Sequence, residues 1–310
     1  MQFATIFNLQ GTLFLLIIMG MVGRKSGALS EPTTKVLTDL TINILLPCMI
    51  IHSFMIAFNW ETLRNFAVIL AIATLAQIIS YLFARFGYKK YPKDLRHVMQ
   101  YASVCSNSGF LGNPIAEGVY GEAGLMYASI FLIPQRIVMW SAGISFFEEG
   151  KADRMTIIKK VLTHPCIVAV YIGFVLMISQ WQPPAFLSDT IQRTGASVTP
   201  ISMILIGTIL ADAGNVKEMI LKTITDVHMI KITFLRLIIL PGIVFCGCTL
   251  LHVPELLRGV SVLLTGMPAA ATTAILAKRY ECNAVFAAQM VVFTTILSLL
   301  TVPVWCMFLG

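Results

Sequence analysis

The sequence has few charged residues for its length. Asp, Glu, Lys and Arg together make up 12% of the 310 residues, whereas ordinary soluble domains contain about 25%. Hydrophobic residues make up 57%, and the mean hydropathy is +0.83. A soluble protein of this size would not cover its surface with so little charge, so we expect most of the surface to contact lipid.

The sequence also lacks the motifs of common enzyme classes. It contains no His-Glu-x-x-His zinc motif, no Gly-x-Ser-x-Gly nucleophile motif, no Walker A motif and no paired aspartates of an intramembrane protease. The cysteines are scattered, and nearly all lie in apolar runs, which indicates neither a disulfide framework nor a metal site. We therefore expect no enzyme activity, no cofactor and no bound metal.

Long apolar runs are abundant. Most contain about 17–25 residues, the length that crosses roughly 30 Å of hydrocarbon as an α-helix. No basic residue precedes the first run, so we expect this run to be retained as a span and not removed as a signal peptide. The sequence thus predicts an all-α membrane protein with ten transmembrane helices. The runs are residues 6–23, 36–58, 66–84, 98–121, 123–147, 162–181, 197–213, 230–252, 259–277 and 284–309.

The net charge of +7 is unevenly distributed between the connections. Most Lys and Arg residues lie after the odd-numbered runs, in segments such as 85–96 and 151–160. The even-numbered connections contain only Arg64, Arg193 and Arg258. Because basic residues accumulate in cytoplasmic connections, this alternation predicts a multi-pass protein of the cell (inner or plasma) membrane with both termini outside. It also explains the charge without nucleic acid as a partner.

The ten runs divide into two sets of five at the charged connection 148–154. With five spans in each set, the second set enters the membrane from the opposite side, as in the inverted repeats of many secondary transporters. Proline occurs in the second span of each set, as Pro47 and Pro200. We predict a five-helix repeat at 1–150 and an inverted repeat at 151–310; chance similarity in a chain that tolerates Gly and Pro is the alternative.

The fourth and ninth runs contain residues that interrupt a helix near the predicted centre of the membrane. Residues 106–114 read Ser-Asn-Ser-Gly-Phe-Leu-Gly-Asn-Pro, and residues 264–273 read Leu-Thr-Gly-Met-Pro-Ala-Ala-Ala-Thr-Thr. Proline lacks a backbone donor and clashes with the preceding turn, and Asn followed by Pro is a frequent helix start. We predict that helices restart at Asn113–Pro114 and at Pro268. The residues expected to form the breaks are Gly109, Gly112, Pro114, Gly266 and Pro268.

A helix that restarts inside the membrane offers a binding site for an anion. Its first N–H groups have no partner within the helix and carry roughly half a positive charge, and inverted halves would bring two such ends together at the midplane. The alternative is a pair of proline kinks filled by neighbouring side chains, with Ser and Thr bonded to their own helix. The predicted substrate-binding residues are Asn107, Ser108, Asn113, Thr265, Thr272, Thr273 and Arg136.

Ionisable residues within the runs are further candidates, because a charge inside the membrane is costly unless it faces protein or water. Glu117, one turn after Pro114, is the candidate for ion coupling; the alternative is a water-facing residue near the outer end of the span. Arg136 is expected to face the interior, where it attracts an anionic substrate or pairs with an acid such as Glu117. Arg236 lies nearer the predicted cytoplasmic end and is expected to extend towards the interface. His52 is expected to be a packing residue.

Three motifs resemble those of the auxin efflux carrier family, which includes bacterial carriers assigned to malonate and related acids and the plant auxin exporters. Ser-Asn-Ser-Gly-Phe-Leu-Gly-Asn-Pro-Ile in the fourth run is similar to the family signature N-x-G-F-L-G-x-P. Asn-Ile-Leu-Leu-Pro in the second run and Met-Pro-Ala-Ala-Ala-Thr-Thr-Ala-Ile-Leu-Ala-Lys-Arg-Tyr in the ninth resemble two further family elements. The resemblance covers essentially the whole chain, in order. Asn113 departs from the pattern, where an apolar residue is more frequent, and bears on substrate choice.

The resemblance implies a ten-span fold of inverted five-helix repeats, akin to that of the bile acid symporters. Spans 3–5 and 8–10 would form a moving transport domain, and spans 1, 2, 6 and 7 a scaffold. In that plan the fourth and ninth spans are crossed, broken helices. The residues that fall on the crossing are Asn107, Gly109, Gly112, Pro114 and Pro268.

The sequence therefore predicts a secondary transporter, a permease or efflux carrier, of small organic anions such as mono- or dicarboxylates, working by alternating access. Two alternatives stay open: an exchanger coupled to protons or sodium through Glu117, and a membrane ligand sensor that keeps the transporter fold. The expected partners are an organic acid substrate, membrane lipid and H+ or Na+. The oligomeric state, for instance a homodimer, is left open.

Overall fold

A computed structural model of the chain describes residues 3–55, 60–140, 143, 146, 147, 155, 159, 162–212, 226–270 and 272–309. These residues are overwhelmingly helical, and the protein is an all-α membrane protein, as predicted. Four continuous helical stretches in the described ranges are long and apolar enough to cross a membrane: Glu31–Ser53, Trp60–Gly87, Val227–Leu250 and Ala284–Leu309. The predicted boundary between the two repeats, at 150 and 151, lies outside the described residues.

Within the described residues, the first half of the chain contributes six α-helices. They are α1 (Phe3–Lys25), α2 (Glu31–Leu40), α3 (Leu46–Ser53), α4 (Trp60–Gly87), α5 (Lys93–Val104) and α6 (Asn113–Trp140). Helix α6 has a break at Gly121, whose φ of 66° and ψ of −160° are outside the helical range. Because glycine has no Cβ, it adopts a positive φ at little cost. The break separates a short arm, residues 113–120, from the long remainder of α6.

The second half of the chain adds eight α-helices within the described residues. They are α7 (Pro165–Ser179), α8 (Ala185–Ala196), α9 (Val198–Asp212), α10 (Val227–Phe234), α11 (Leu240–Leu250), α12 (Glu255–Thr265), α13 (Thr272–Arg279) and α14 (Ala284–Leu309).

In the described part of the chain, three π-helical segments widen the helices, and a proline follows shortly after each. Thr41–Leu45 joins α2 to α3, Ser108–Gly112 leads into α6, and Leu235–Ile239 joins α10 to α11. The second residue after each segment is Pro47, Pro114 or Pro241 respectively. A proline ring clashes with the carbonyl four residues before it and supplies no N–H. A wider turn at that point relieves both problems and lets the helix continue through the proline.

Helices α1 and α9 pack at very close range through two glycines. A Cβ atom placed on Gly20 would lie 2.1 Å from the backbone oxygen of Ile204, and one on Gly207 would lie 2.1 Å from that of Ile17. Arg24 at the end of α1 donates from Nε to Asp212 Oδ1 at 2.6 Å, and this hydrogen bond raises the pKa of Arg24. Both features hold α1 and α9 together as one unit.

Helices α3 and α7 make a second close contact of the same kind. A Cβ on Gly173 of α7 would lie 2.8 Å from the ring of Phe54, which follows α3 directly. On the other side of α3, a Cβ on Gly195 of α8 would lie 2.7 Å from the Cα of Met49. Gly195 therefore lets the backbones of α3 and α8 approach closely, and Gly173 leaves room for the Phe54 ring against α7.

Candidate functional site: the crossing of two interrupted helices

The first interruption lies between α5 and the π-helical segment that leads into α6. Helix α5 ends at Val104, Cys105 has the extended angles φ −107° and ψ 115°, and Asn107 stands at the N-cap position of the Ser108–Gly112 segment. Helical geometry therefore resumes at Ser108, and the predicted restart at Asn113–Pro114 is wrong. The wide turn before Pro114 explains the difference, because it lets a helix that starts earlier pass through the proline.

The second interruption lies between α12 and α13. Helix α12 ends at Thr265, with Gly266 at the C-cap position, and α13 begins at Thr272. The predicted restart at Pro268 is therefore wrong as well. Residues 268–270 pair with the other interruption instead, and this pairing keeps them out of a helix.

The two interruptions cross and are hydrogen-bonded to each other through their backbones. Ser106 and Ala269 form an antiparallel bridge. The Asn107 N–H donates to the Pro268 carbonyl at 2.8 Å, and the Ala270 N–H donates to the Cys105 carbonyl at 3.1 Å. Unpaired backbone groups would each cost several kcal/mol in an apolar environment. The crossing is therefore stable because each interruption satisfies backbone groups of the other.

Side chains of neighbouring helices hold the two bridging residues. Gln135 of α6 donates from Nε2 to the Ser106 carbonyl at 2.7 Å and accepts the Ser106 hydroxyl at Oε1, also at 2.7 Å. Thr294 of α14 accepts the Ala269 N–H at Oγ1 at 3.1 Å. Both interruptions are thus tied to the helix that follows in the chain.

Two further side chains bond to carbonyl groups at and beside the interruptions. Gln77 of α4 donates from Nε2 to the Val104 carbonyl at 3.1 Å. Arg236 donates from Nε to the Met267 carbonyl at 3.1 Å and from Nη1 to the Ser103 carbonyl at 2.9 Å. The last carbonyls of a helix have no partner within it and carry partial negative charge. A guanidinium is a favourable partner for these carbonyls.

Arg236 is only 3% exposed, so the prediction that it extends towards the interface is wrong. Its hydrogen bonds reach both interrupted helices, and these bonds stabilise the guanidinium in its buried position. Sequence reasoning missed this role because no motif surrounds Arg236. The sequence feature that could have indicated this role is the position of Arg236 itself, a cation within an apolar run and five residues before Pro241.

Three of the predicted substrate-binding residues use their hydroxyl groups in internal hydrogen bonds. Ser108 donates from Oγ to the Leu264 carbonyl at 2.8 Å, which adds another link between the interrupted helices. Thr265 donates to the Ser261 carbonyl within α12 at 2.7 Å. The Thr272 hydroxyl lies 3.2 Å from the Tyr101 hydroxyl. These three side chains contribute to the architecture of the crossing.

Three other predicted residues have polar groups without a partner in the described part of the chain. Both side-chain polar atoms of Asn113 and the hydroxyl of Thr273 are buried and unpaired, and both residues are 0% exposed. Asn107 is 7% exposed, and its side chain forms no hydrogen bond with the residues that the structure describes. Buried polar groups are usually paired in proteins. Asn107, Asn113 and Thr273 are thus the predicted residues best able to accept a ligand.

The two predicted glycines of the first interruption lie in the π-helical turn and face close neighbours. A Cβ on Gly109 would lie 3.4 Å from Arg136 Nη2, and one on Gly112 would lie 3.1 Å from Met267 Cγ. Arg136 is half-buried, and its contact with Gly109 places it beside the first turn of the resumed helix. The positive charge of the guanidinium therefore lies close to the partial positive charge of the helix start.

Glu117 lies on the short arm of α6, one turn after Asn113, and is half-buried. Within the described residues it forms neither a hydrogen bond nor an ion pair, and in particular it does not pair with Arg136. His52, predicted to be a packing residue, lies 3.7 Å from Glu122, measured from Nδ1 to Oε1. This contact joins α3 to α6 immediately after the Gly121 break.

The fold and the site together define a class of protein. An all-α membrane protein with interrupted helices that meet among buried polar groups is built like many secondary transporters. The chain belongs to the membrane transport protein family, whose model matches residues 11–306. This match confirms the resemblance to the auxin efflux carrier family. The family is one of transporters, which are generally not enzymes.

Two archaeal proteins are similar to the chain over nearly its whole length. An uncharacterised transporter of Methanothermobacter thermautotrophicus is 26% identical over 300 residues, which cover 95% of each chain. An uncharacterised transporter of Methanocaldococcus jannaschii is 24% identical over 303 residues, which cover 94% of each chain. The similarity therefore extends over the segments that contain both interruptions.

Proposed function

We propose that the protein is a secondary transporter of small organic anions, mono- or dicarboxylates, that works by alternating access in the cell membrane. The observation that carries this proposal is the crossing of two interrupted helices beside unpaired amide and hydroxyl groups. The starts of the two resumed helices supply N–H donors and partial positive charge. Asn107, Asn113 and Thr273 add unpaired polar groups, and Arg136 adds a cation. A carboxylate fits this set of donors.

The proposed ten-span fold of two inverted repeats, residues 1–150 and 151–310, is supported by pairs of matching contacts. Gln135 and Thr294 each hold a bridging residue from the helix that follows the interruption. Gln77 and Arg236 each bond to backbone carbonyls at the crossing from the helix that precedes it. The close α1–α9 contact likewise has its counterpart in the α3–α7 contact. Two related halves of opposite orientation would produce this reciprocity.

The proposed mechanism moves the crossing as one body against the scaffold. Hydrogen bonds tie the crossing to α4, α6, α14 and the segment between α10 and α11, which belong to spans 3–5 and 8–10. Helices α1, α3, α7, α8 and α9 pack on one another through glycines and would form the scaffold. The substrate carboxylate binds at the crossing, and the shift of the transport domain then exposes it to the other side of the membrane.

Purified protein in liposomes tests the proposal. We expect the wild type to accumulate labelled acids from a panel of mono- and dicarboxylates. The Asn107→Ala variant should bind the best acid about tenfold more weakly or worse, because one hydrogen bond to a charged group is worth about 1.5–3 kcal/mol. Thr74→Ala is the control, since the exposed Thr74 hydroxyl bonds to the Leu70 carbonyl of its own helix. Equal uptake by both variants would place the site elsewhere.

A second candidate, an exchanger coupled to H+ or Na+ through Glu117, is favoured by the half-buried and unpaired state of this carboxyl. Glu117→Gln removes the charge and keeps the shape. We expect the variant to lose the dependence of transport on pH or sodium if Glu117 carries the coupling ion. Unchanged dependence would leave substrate exchange alone as the driving process. Binding of acids without any accumulation in liposomes would instead favour the ligand sensor.

A further inference from the structure

Arg136 and His164 face each other beside the start of the resumed helix. The distance from Arg136 Nη1 to His164 Nε2 is 3.4 Å, and both residues are half-buried. Arg136 belongs to α6, whereas His164 is the N-cap residue of α7. His164 belongs to no sequence motif, because it is a lone histidine before a proline.

The hydrogen bonding of His164 fixes which ring nitrogen carries the proton. Its Nδ1 accepts the backbone N–H of Cys166 at 3.2 Å, as the cap of α7. A neutral imidazole has one donor and one acceptor nitrogen, so the proton of the neutral ring is on Nε2. That N–H points to a guanidinium that has only donors. The two side chains therefore present two donors to each other and no acceptor between them.

Among the described residues, none supplies the missing acceptor to Arg136. In the described ranges the ion pairs are Arg24–Asp212 and His52–Glu122, so no carboxylate pairs with Arg136. Gly109 lies beside the guanidinium, since a Cβ placed on it would be 3.4 Å from Arg136 Nη2. At the first turn of a helix this backbone contributes further N–H donors. The site is thus rich in donors and positive charge.

We propose that Arg136, His164 and the backbone at Gly109 form a carboxylate-binding corner. A carboxylate there accepts hydrogen bonds from Arg136 Nη1 and His164 Nε2, and it supplies the negative charge that the corner lacks. The inference deepens the proposed function, on which it rests, because it names His164 as a second donor to the substrate. Since Arg136 belongs to the proposed transport domain and His164 to the proposed scaffold, a bound carboxylate bridges the two.

The test uses formate, the smallest carboxylate, so that its result does not depend on the identity of the substrate. Purified protein with 15N-labelled histidine is titrated with formate and, separately, with neutral formamide. The His164→Gln variant assigns the His164 ring resonances. We expect the His164 Nε2 resonance to shift in a saturable manner with formate and to stay unchanged with formamide.

Matched variants separate the corner from general effects of anions. Arg136→Gln should weaken the formate response about tenfold or more, because a hydrogen bond to a charged group is lost. Arg136→Lys should retain part of it. Arg193→Gln and His252→Gln are the controls, since both residues are exposed and neither belongs to the interrupted segments. The other histidine resonances report whether each variant is folded.

The outcomes distinguish this inference from the proposed function. The proposed corner is wrong if the His164 resonance does not respond to formate, or if it responds equally in Arg136→Gln. This conclusion holds even if liposomes accumulate organic acids. A saturable response that needs Arg136 supports the corner. If that response occurs but no organic anion is transported, the binding site stands and the proposed transport function fails.

Discussion

At the scale of single residues, the crossing depends on a few side chains that bond to backbone groups. Arg236 reaches both interrupted helices with one guanidinium, and Gln135 makes two bonds to Ser106. Such polar side chains satisfy groups that an apolar core would leave unpaired. Their removal should therefore affect stability more than their small number suggests.

Arg236→Gln tests the larger of these roles. The variant loses the hydrogen bonds to Met267 and Ser103, and bonds to a charged group are worth about 1.5–3 kcal/mol each. We expect a clear fall in the thermal unfolding temperature of the purified protein. Arg193→Gln, which changes an exposed arginine, should leave that temperature nearly unchanged. A stability equal to that of the control would show that the buried guanidinium contributes little.

Thr294→Val offers a nearly isosteric test of one hydrogen bond. The variant leaves the Ala269 N–H without its acceptor, which we expect to destabilise the protein by about 1–3 kcal/mol. Thr295→Val is a close control, because the Thr295 hydroxyl donates to the Val291 carbonyl of its own helix. The measurement is chemical or thermal unfolding of both variants side by side. If the two variants lose equal stability, the bond to Ala269 is not important for the fold.

At the scale of elements, the sequence predicted the interruptions but not where the helices resume. Small residues and prolines in the fourth and ninth runs indicated both breaks. The π-helical turn before Pro114 and the pairing of residues 268–270 with the other interruption depend on contacts far apart in sequence. No local pattern encodes such contacts. For the same reason Arg236 and His164 were missed, whereas the polar residues within the motif itself were identified.

The close packing of α1 on α9 makes Gly20 a sensitive position. In Gly20→Ala the new Cβ would lie 2.1 Å from a backbone oxygen, so the helices must separate, and overpacking of this kind costs about 1–3 kcal/mol. Gly247→Ala in α11 is the control, because a Cβ there meets no atom within 4 Å. We expect a lower unfolding temperature for the first variant and an unchanged or higher one for the second. The reverse order would contradict the packing of α1 on α9.

At the scale of the whole molecule, the fold class was the feature best predicted from composition and charge. Low charge and repeated apolar runs predicted an all-α membrane protein, and the motifs predicted the family. The arrangement of the ten spans and the sidedness of the membrane stay predictions. They follow from the distribution of basic residues, which reflects insertion into the membrane and not the contacts of the folded protein.

Cysteine labelling tests that sidedness. In a variant without the native cysteines, Lys89→Cys should react with a membrane-impermeant maleimide only after the cells are permeabilised. Trp181→Cys, in the connection between α7 and α8, should react in intact cells. Labelling of both positions from the same side would contradict the predicted topology, since an odd number of spans separates them.

Each π-helical turn before a proline has a consequence for the way the chain meets its surroundings. Such a turn contains one residue more than the α-helical turn it replaces, and one residue corresponds to a rotation of about 100° around the helix axis. Everything that follows Ile239, for example, is rotated relative to a regular helix of the same sequence. Deleting a single residue there would restore a regular α-helical turn and keep the same side chains of α11 facing lipid and its neighbours. Inserting a residue at another position of α11 would instead rotate the part that follows it, although the composition of the helix would hardly change.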